Sequence, residues 1–456
     1  GTHDQIPRLR QPPPRRDRSL LAPSPESNTG QARMASVADT LPANLPLTTA
    51  DGQPLKQALV RAERHRRYRA VGLVAPLLIF LSITFLYPIG LMLWRSVDNP
   101  VIVENLPNTV AALQNWDGKG VPDEAAFAAL VTDLTKARET KTVGNIATRL
   151  NFETSGLRSV ITRTARRVAK IKAGPYKEQV IKANALWGKS TPWATIQRLG
   201  SALTYTQYLA ATDLRVNLDG DIVQQPDERQ IYISLFKRTL WMSVVVTIAS
   251  LLLGYPIAYL LSTLPVRLSN LMMIMVLLPF WTSLLVRTTS WIVLLQTQGV
   301  VNDLLVFFGL ISDDGRIQLI FNAEGTVIAM TQILLPFMVL PLYSVMKTIS
   351  PNYMRAAQSL GAHRFVAFWR VYAPNSLPGV GAGCLLVFIL AIGYYITPAL
   401  VGGEDGQMIS NLIAFHMQKS LNWGLAAALG SILLAGVLAL YWLYSKLVGI
   451  ENLKLG

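Results

Sequence analysis

Six long apolar stretches constrain this chain more than any motif in it. They lie at about 71–94, 239–263, 271–295, 325–347, 379–401 and 424–448. The hydrocarbon core of a bilayer is roughly 30 Å thick and takes about 20 helical residues to cross. In lipid, every backbone N–H and C=O must be satisfied inside the protein, and a helix does this within its own segment. The pattern predicts an all-α, polytopic membrane protein with six transmembrane helices. Composition agrees: 51% of residues are hydrophobic, 15% are charged, and the mean hydropathy is +0.33.

The net charge of +15 is not one patch. Residues 1–70 hold 12 Lys/Arg against 6 Asp/Glu, and residues 98–233 hold 17 against 14. This reads as topology signal plus solvated surface. A nucleic-acid partner needs a basic groove with aromatic stacking, and none is expected. Arg61, Arg64, Arg66, Arg67 and Arg69 crowd just before the first stretch, so the positive-inside rule places that end in the cytoplasm. Six crossings return the C-terminus to the same side. The 296–324 loop carries Arg316 against Asp303, Asp313, Asp314 and Glu324, as an outer loop should. The 348–378 loop carries Arg355, Arg364 and Arg370 and no acid, as an inner loop should. Lys237 and Arg238, at the outer start of the second stretch, run against the pattern.

Residues 1–33 are rich in Pro, Arg and Ser and are expected to be disordered, derived from an upstream start or an expression vector. Residues 34–70 form a cytoplasmic tail, 71–97 the first transmembrane helix, 234–450 a core of five more, and 451–456 a short cytoplasmic end. No cleavable signal peptide is expected, because the first apolar block is late and long. Between the first helix and the core, 98–233 reads as an inserted, helical periplasmic domain, with helical periodicity at 123–150 and 156–186. Gly174-Pro175 interrupts the second, and Trp187 and Trp193 flank another break. The domain serves either as a dock for an outside partner or as a spacer.

Enzyme chemistry has little to rest on. Cys384, the only cysteine, lies in an apolar stretch, and the four histidines show no metal-ligand spacing. No nucleophile–base pair stands out, and no GxxxxGK[ST] phosphate loop occurs.

The loop RAAQSLGAHRFVAFWRVYAPNSLPG, residues 355–379, is unusually structured for a connection between spans. Ser350-Pro351 is a helix start, since Ser caps and Pro at the first position costs no hydrogen bond. A short helix over 352–360 gathers Ala356, Ala357 and Leu360. Gly361 permits a sharp turn. A second helix over 362–371 presents Phe365, Phe368 and Trp369, with Pro374 ending it and Pro378-Gly379 opening the next span. Such a surface suits either a cytosolic protein or a lipid interface.

The spacing of Ala356-Ala357, Gly361, Val371 and Pro374 resembles the EAA loop of permease subunits of bacterial type I ABC importers. That motif reads Glu-Ala-Ala, three residues, Gly, nine residues, a β-branched residue, one residue, Leu-Pro. Here Arg355 replaces the usual Glu and Ala373 the usual Leu. The stretches LLPFWTSLLVRTTSWIVLL (277–295) and ITPALVGG (396–403) are similar to the spermidine/putrescine branch. The resemblance implies two permeases, this one and a second that is a paralogue or identical, two cytosolic ATPases that bind ATP and Mg, and a periplasmic substrate-binding protein. No cofactor is implied for this chain itself, and its place is the bacterial inner membrane. Arg355, Ala356, Ala357, Leu360, Gly361, Ala362, Phe365, Phe368 and Pro374 then form the ATPase-coupling element.

Arg287 is a charge well inside a span, which marks it as a functional candidate or as a helix-bridging Arg. With Trp281, Thr288 and Trp291 in the same span, and Tyr394, Tyr395 and Thr397 before Pro398, it outlines a substrate path. Aromatic faces suit polyamines, yet Arg287 and the lack of an acid within the spans suit a carboxylate, as in an amino-acid derivative or opine. Two rivals stand beside the importer reading. A stand-alone secondary transporter often shows internal repeats and buried ionisable pairs, and neither is visible. A sensor or scaffold with a ligand-binding outer domain has no need of the loop spacing.

Overall fold

The computed structural model describes residues 55–171, 173–217 and 220–448. The expectations for 1–33, for most of the 34–70 tail and for 451–456 lie outside these residues. The chain divides into two compact units, residues 1–86 and 87–456. In the first, the helix Leu55–Leu81 leads into a π turn, Ser82–Leu86, and no side chain described from Arg66 to Leu86 is buried.

Among the described residues, five helices are long and apolar enough to cross a membrane. They are Arg66–Arg95, Tyr232–Thr263, Ala323–Thr348, Arg364–Gly393 and Trp423–Lys446, here spans one, two, four, five and six. Span three is a bent pair, Val266–Trp281 and Leu284–Leu295, meeting at 95°. The sequence predicts one segment there, 271–295, kinked at Pro279, and the structure turns that kink into a full break for a local reason. Pro279 has no N–H to donate and sits in a 3-10 turn, Leu278–Trp281. Thr282 and Ser283 then take extended backbone before the helix restarts.

Span five also departs from expectation. Pro374 does not end a separate helix, and Pro378-Gly379 does not open a new one. Helix runs from Arg364 through both prolines. A π turn at Phe368–Tyr372, where the Ala373 N–H donates to the Phe368 carbonyl five residues back, widens the helix just before Pro374. Two prolines inside span four, Pro336 and Pro341, expected to mark kinks, are carried within one α-helix, Ala323–Thr348, without a π turn. Span five stops at Gly393 rather than 401. Tyr394 is extended, and a separate short helix, Ile396–Val401, follows.

Spans two, four and five pack as a bundle, with span four at its centre. Met330, Leu334, Met338 and Leu342 of span four bury against Met242 and Val246 of span two and Val387 and Ala391 of span five. Lipid tails give no hydrophobic drive for helices to associate, so close backbone approach and dispersion must supply the attraction. Gly379 and Gly383 provide the approach. A Cβ on Gly379 would stand 3.3 Å from both the Pro341 oxygen and the Leu342 Cα, and one on Gly383 would stand 3.2 Å from the Met338 oxygen.

The inserted domain has its own apolar core. Its helices include Glu124–Glu139, Val143–Glu153, Leu157–Val168, Tyr176–Ala183 and Ser190–Arg198. Its centre is aromatic: Trp193 lies 4.6 Å from Phe127 and 4.9 Å from Trp187, centroid to centroid. Each buried indole finds an acceptor, Trp187 on Thr164 Oγ1 at 2.8 Å and Trp193 on the Trp187 carbonyl at 3.0 Å. The predicted 156–186 helix is two helices parted around Gly174-Pro175. The domain is not wholly helical, because Leu214–Val216 and Ile222–Gln224 pair as an antiparallel hairpin.

Two polar devices tie the domain to its stalk. Arg149 is buried, and its Nε donates to Asn99 Oδ1 at 2.9 Å while Nη1 pairs with Glu153 at 3.1 Å. The Asn99 amide in turn donates to the carbonyls of Leu199 and Ser201, so the domain's entry and exit strands are pinned together. Asp213 accepts N–H bonds from Ile231, Tyr232 and Ile233, the start of span two, at 2.8–3.1 Å.

Candidate functional site

The loop between spans four and five is built as a capped helix, a left-handed turn and a second capped start. Ser350 Oγ accepts the Asn352 N–H, and Pro351 occupies the first turn of the helix Pro351–Ser359. That helix closes when the Ala362 N–H reaches back to the Ala357 carbonyl at 3.0 Å. The closure needs Gly361 at φ 90°, a conformation L side chains rarely adopt. His363 Nδ1 then accepts the Phe365 N–H and starts span five.

The exposed face of this element holds Arg355, Ala356, Leu360, Gly361 and Phe365, with Ala357 and Ala362 half-buried beside them. Leu360 is 89% exposed, a large cost in water for a leucine with no partner. Phe368, expected on this face, turns inward instead. It stacks on Tyr372 and meets Tyr255 and Tyr259 edge-on. These contacts anchor the element to span two. Pro374 is exposed but lies within span five.

The second cluster forms where the upper half of span three, Leu284–Leu295, packs against Ile396–Val401 and span four. Thr288 and Thr397 are both fully buried, with hydroxyls 3.4 Å apart. Trp291 Nε1 donates to Gln332 Oε1 at 3.2 Å. Arg287 sits half-buried one residue before Thr288, and its Nε and Nη1 are enclosed without a hydrogen-bond partner among the described residues. Trp281 stands apart, 88% exposed below the 95° bend.

At the unwound turn Tyr394-Tyr395 both carbonyls are occupied, that of Tyr395 in part by the Ala399 N–H at 3.0 Å. Ser410 Oγ donates to the Tyr394 oxygen at 2.6 Å, and Asn411 Nδ2 to the Tyr395 oxygen at 2.8 Å. Gln332, Ser410 and Asn411 were not legible as members of this cluster. Each is an ordinary polar residue in an apolar neighbourhood, distant in sequence from its partner.

Residues 250–448, which contain both clusters, match the family model described as the binding-protein-dependent transport system inner membrane component. The spermidine/putrescine transport system permease protein PotB of Escherichia coli (strain K12) is 34% identical over 221 residues, 48% of this chain and 80% of that protein. The PotB of Haemophilus influenzae is 36% identical over 222 residues, 48% of this chain and 77% of the relative. A solved bacterial ABC transporter involved in importing the acidic polysaccharide alginate covers 49% of this chain and 80% of its own, at 20% identity and a TM-score of 0.39. The assignment rests on the sequence relatives. The chain belongs to the family of binding-protein-dependent inner-membrane components, the permease subunits of type I ABC importers, in its spermidine/putrescine branch. It is therefore a multi-pass inner-membrane transport subunit.

Proposed function

We propose that this chain forms half of the translocation pathway of an ATP-driven importer and couples to a separate cytosolic ATPase through residues 351–374. The observation that carries the reading is the exposed face around Leu360 and Gly361, set at the spacing of the EAA loop. The complex comprises two ATPases holding ATP and Mg, a second permease that is a paralogue of this one, and a periplasmic binding protein that delivers the solute. Both termini lie in the cytoplasm and the inserted domain outside. ATP favours the closed ATPase pair, that closure moves the coupling helices, and the spans shift population between inward- and outward-open states. By analogy with the PotB relatives, the solute is a polyamine-type small organic molecule.

A second solute class is favoured by one observation. The buried, unpartnered Nε and Nη1 of Arg287 suit a carboxylate, as in an amino-acid derivative or opine, better than a cation. Arg287, Trp291 and Tyr394 border the path in either case, with Thr288 and Thr397 buried beside them and Trp281 and Tyr395 at its margins. Uptake into proteoliposomes separates the two. If a carboxylate is recognised, Arg287→Met abolishes uptake of the amino-acid derivative; if a polyamine is carried, the same variant leaves or improves uptake.

The coupling claim is tested by Gly361→Leu in the assembled complex. A non-glycine residue held in this turn costs about 1–2 kcal/mol, so the helix is expected to re-aim. The variant should insert and assemble, yet lose most binding-protein-stimulated ATP hydrolysis. Full stimulation in a properly inserted variant would sink the coupling assignment and favour the sensor or secondary-transporter alternatives.

A further inference from the structure

Charge in the inserted domain is sharply segregated. Between Thr154 and Thr212 there are ten Lys/Arg against a single acid, Glu178, whereas residues 98–153 hold five against eight. The helix Leu157–Val168 concentrates this excess. One side of it, Leu157, Val160, Ile161, Thr164, Ala165 and Val168, is buried in the domain core. The opposite side shows Arg158, Ser159, Arg163 and Arg166 to solvent. With Thr162, these line a shallow concavity of about 430 Å³.

Helix stability does not account for this face. Arg158 stands in the first turn, where the helix dipole disfavours a cation, and Arg163 and Arg166 are like charges three residues apart. Arg167 has a structural task, since its Nη1 caps the carbonyls of Lys182 and Ala183 at 2.8 and 3.1 Å. Arg158, Arg163 and Arg166 form none of the ion pairs found among the described residues. They form a preassembled, uncompensated cationic surface, and the Ser159 and Thr162 hydroxyls between them donate to the carbonyls of Gly156 and Arg158, which leaves their oxygens as acceptors.

We propose that this face, Arg158–Arg163–Arg166 with Ser159 and Thr162, is the docking surface for an acidic patch on the binding protein that serves this importer. The proposal rests on the importer reading above. A soluble protein is favoured over anionic lipid because of where the helix sits. It packs on the helices Glu124–Glu139, Val143–Glu153 and Tyr176–Ala183, none of which is a span. The domain meets the spans elsewhere, through Thr206–Ala211 against span six, the Tyr208–Ser431 hydrogen bond at 2.9 Å and the Asp213 cap. A cationic face on a helix that packs on the domain's own helices steers acidic partners in solution and sets their orientation.

The test uses the complete importer in nanodiscs of neutral lipid and its own ligand-loaded binding protein, with association rates measured from 25 to 300 mM salt. Wild-type association should fall steeply with salt. The triple variant R158E/R163E/R166E should associate roughly tenfold more slowly at low salt and lose most of the salt dependence. The control triple K119E/K136E/R138E, which changes charge equally on exposed residues elsewhere in the domain, should keep both. The neutral set R158Q/R163Q/R166Q should give an intermediate rate and guards against misfolding, which circular dichroism would reveal. Wild-type rates in a folded reversed variant overturn the docking assignment while leaving the importer intact. Loss of binding only to anionic vesicles overturns it in favour of lipid. Failure of the wild-type complex to bind the loaded protein at all overturns the importer reading too.

Discussion

At the residue scale, buried polar groups with several partners carry the stakes, because truncation leaves those partners unpaired. Asp213 accepts three N–H bonds at the head of span two. Asp213→Ala is expected to lower stability by about 1–3 kcal/mol, read as a fall in melting temperature of the detergent-solubilised protein. Arg149 links Asn99, Glu153 and Thr206, and burial pulls its pKa down against the raising effect of Glu153. Arg149→Met removes the charge yet orphans Asn99 and Glu153. It should loosen the domain's neck, seen as faster amide exchange around 97–100 and 199–206 without loss of the Trp187–Trp193 core. His416, outside the spans, touches the Tyr232 hydroxyl and Ser420. Burial lowers its pKa below the ordinary 6.5, so the folded state favours the neutral ring. Stability is therefore whole above about pH 6.5 and declines as pH falls below it, because the unfolded chain takes up the proton first. Melting temperatures at pH 7.5 and 5.5 should differ less in His416→Gln than in wild type.

At the element scale, helix ends and breaks decide what each segment presents. The helix Pro351–Ser359 and its turn are legible in the chain because their signals are local: a Ser-Pro start, a gathered Ala-Ala-Leu face and a glycine at the turn. The fate of Phe368 is not local. Its ring packs on Tyr255 and Tyr259 of span two, which lie far away in sequence, and no periodicity in residues 362–371 announces them. The difference is testable. Phe368→Ala, at a half-buried ring, should cost about 1–3 kcal/mol as a packing loss, whereas Phe365→Ala, at a side chain 66% exposed, should leave stability nearly unchanged and act on ATPase stimulation. Equal stability losses would show that both rings are packed alike.

At the scale of the whole molecule, the membrane bundle depends on close approach and the inserted domain on an ordinary apolar core. Gly379 faces the backbone of span four, and Gly379→Val forces spans four and five apart, for about 1–3 kcal/mol. Reduced yield of folded protein and a lowered melting temperature are the expected readouts. The inserted domain should tolerate that change, because its core of Phe127, Trp187 and Trp193 belongs to a separate cluster.

The spans themselves, and the presence of an insertion between the first two, were readable from the chain. Burying a helix in lipid requires only length and apolarity, which are written residue by residue. So was the turn at Gly361 after the Pro351 helix start, where one glycine and one proline act within a few residues. Only the tertiary structure decided the passage of span five through Pro374 and Pro378, and the meeting of Thr288, Thr397, Trp291 and Gln332. Those outcomes turn on which neighbour satisfies a freed backbone group or fills a gap, and the neighbours are distant in sequence. The unpaired guanidinium of Arg287 shows both sides of this division. Its position in an apolar run marked it as costly, and the packing around it left its Nε and Nη1 enclosed and without a partner among the described residues.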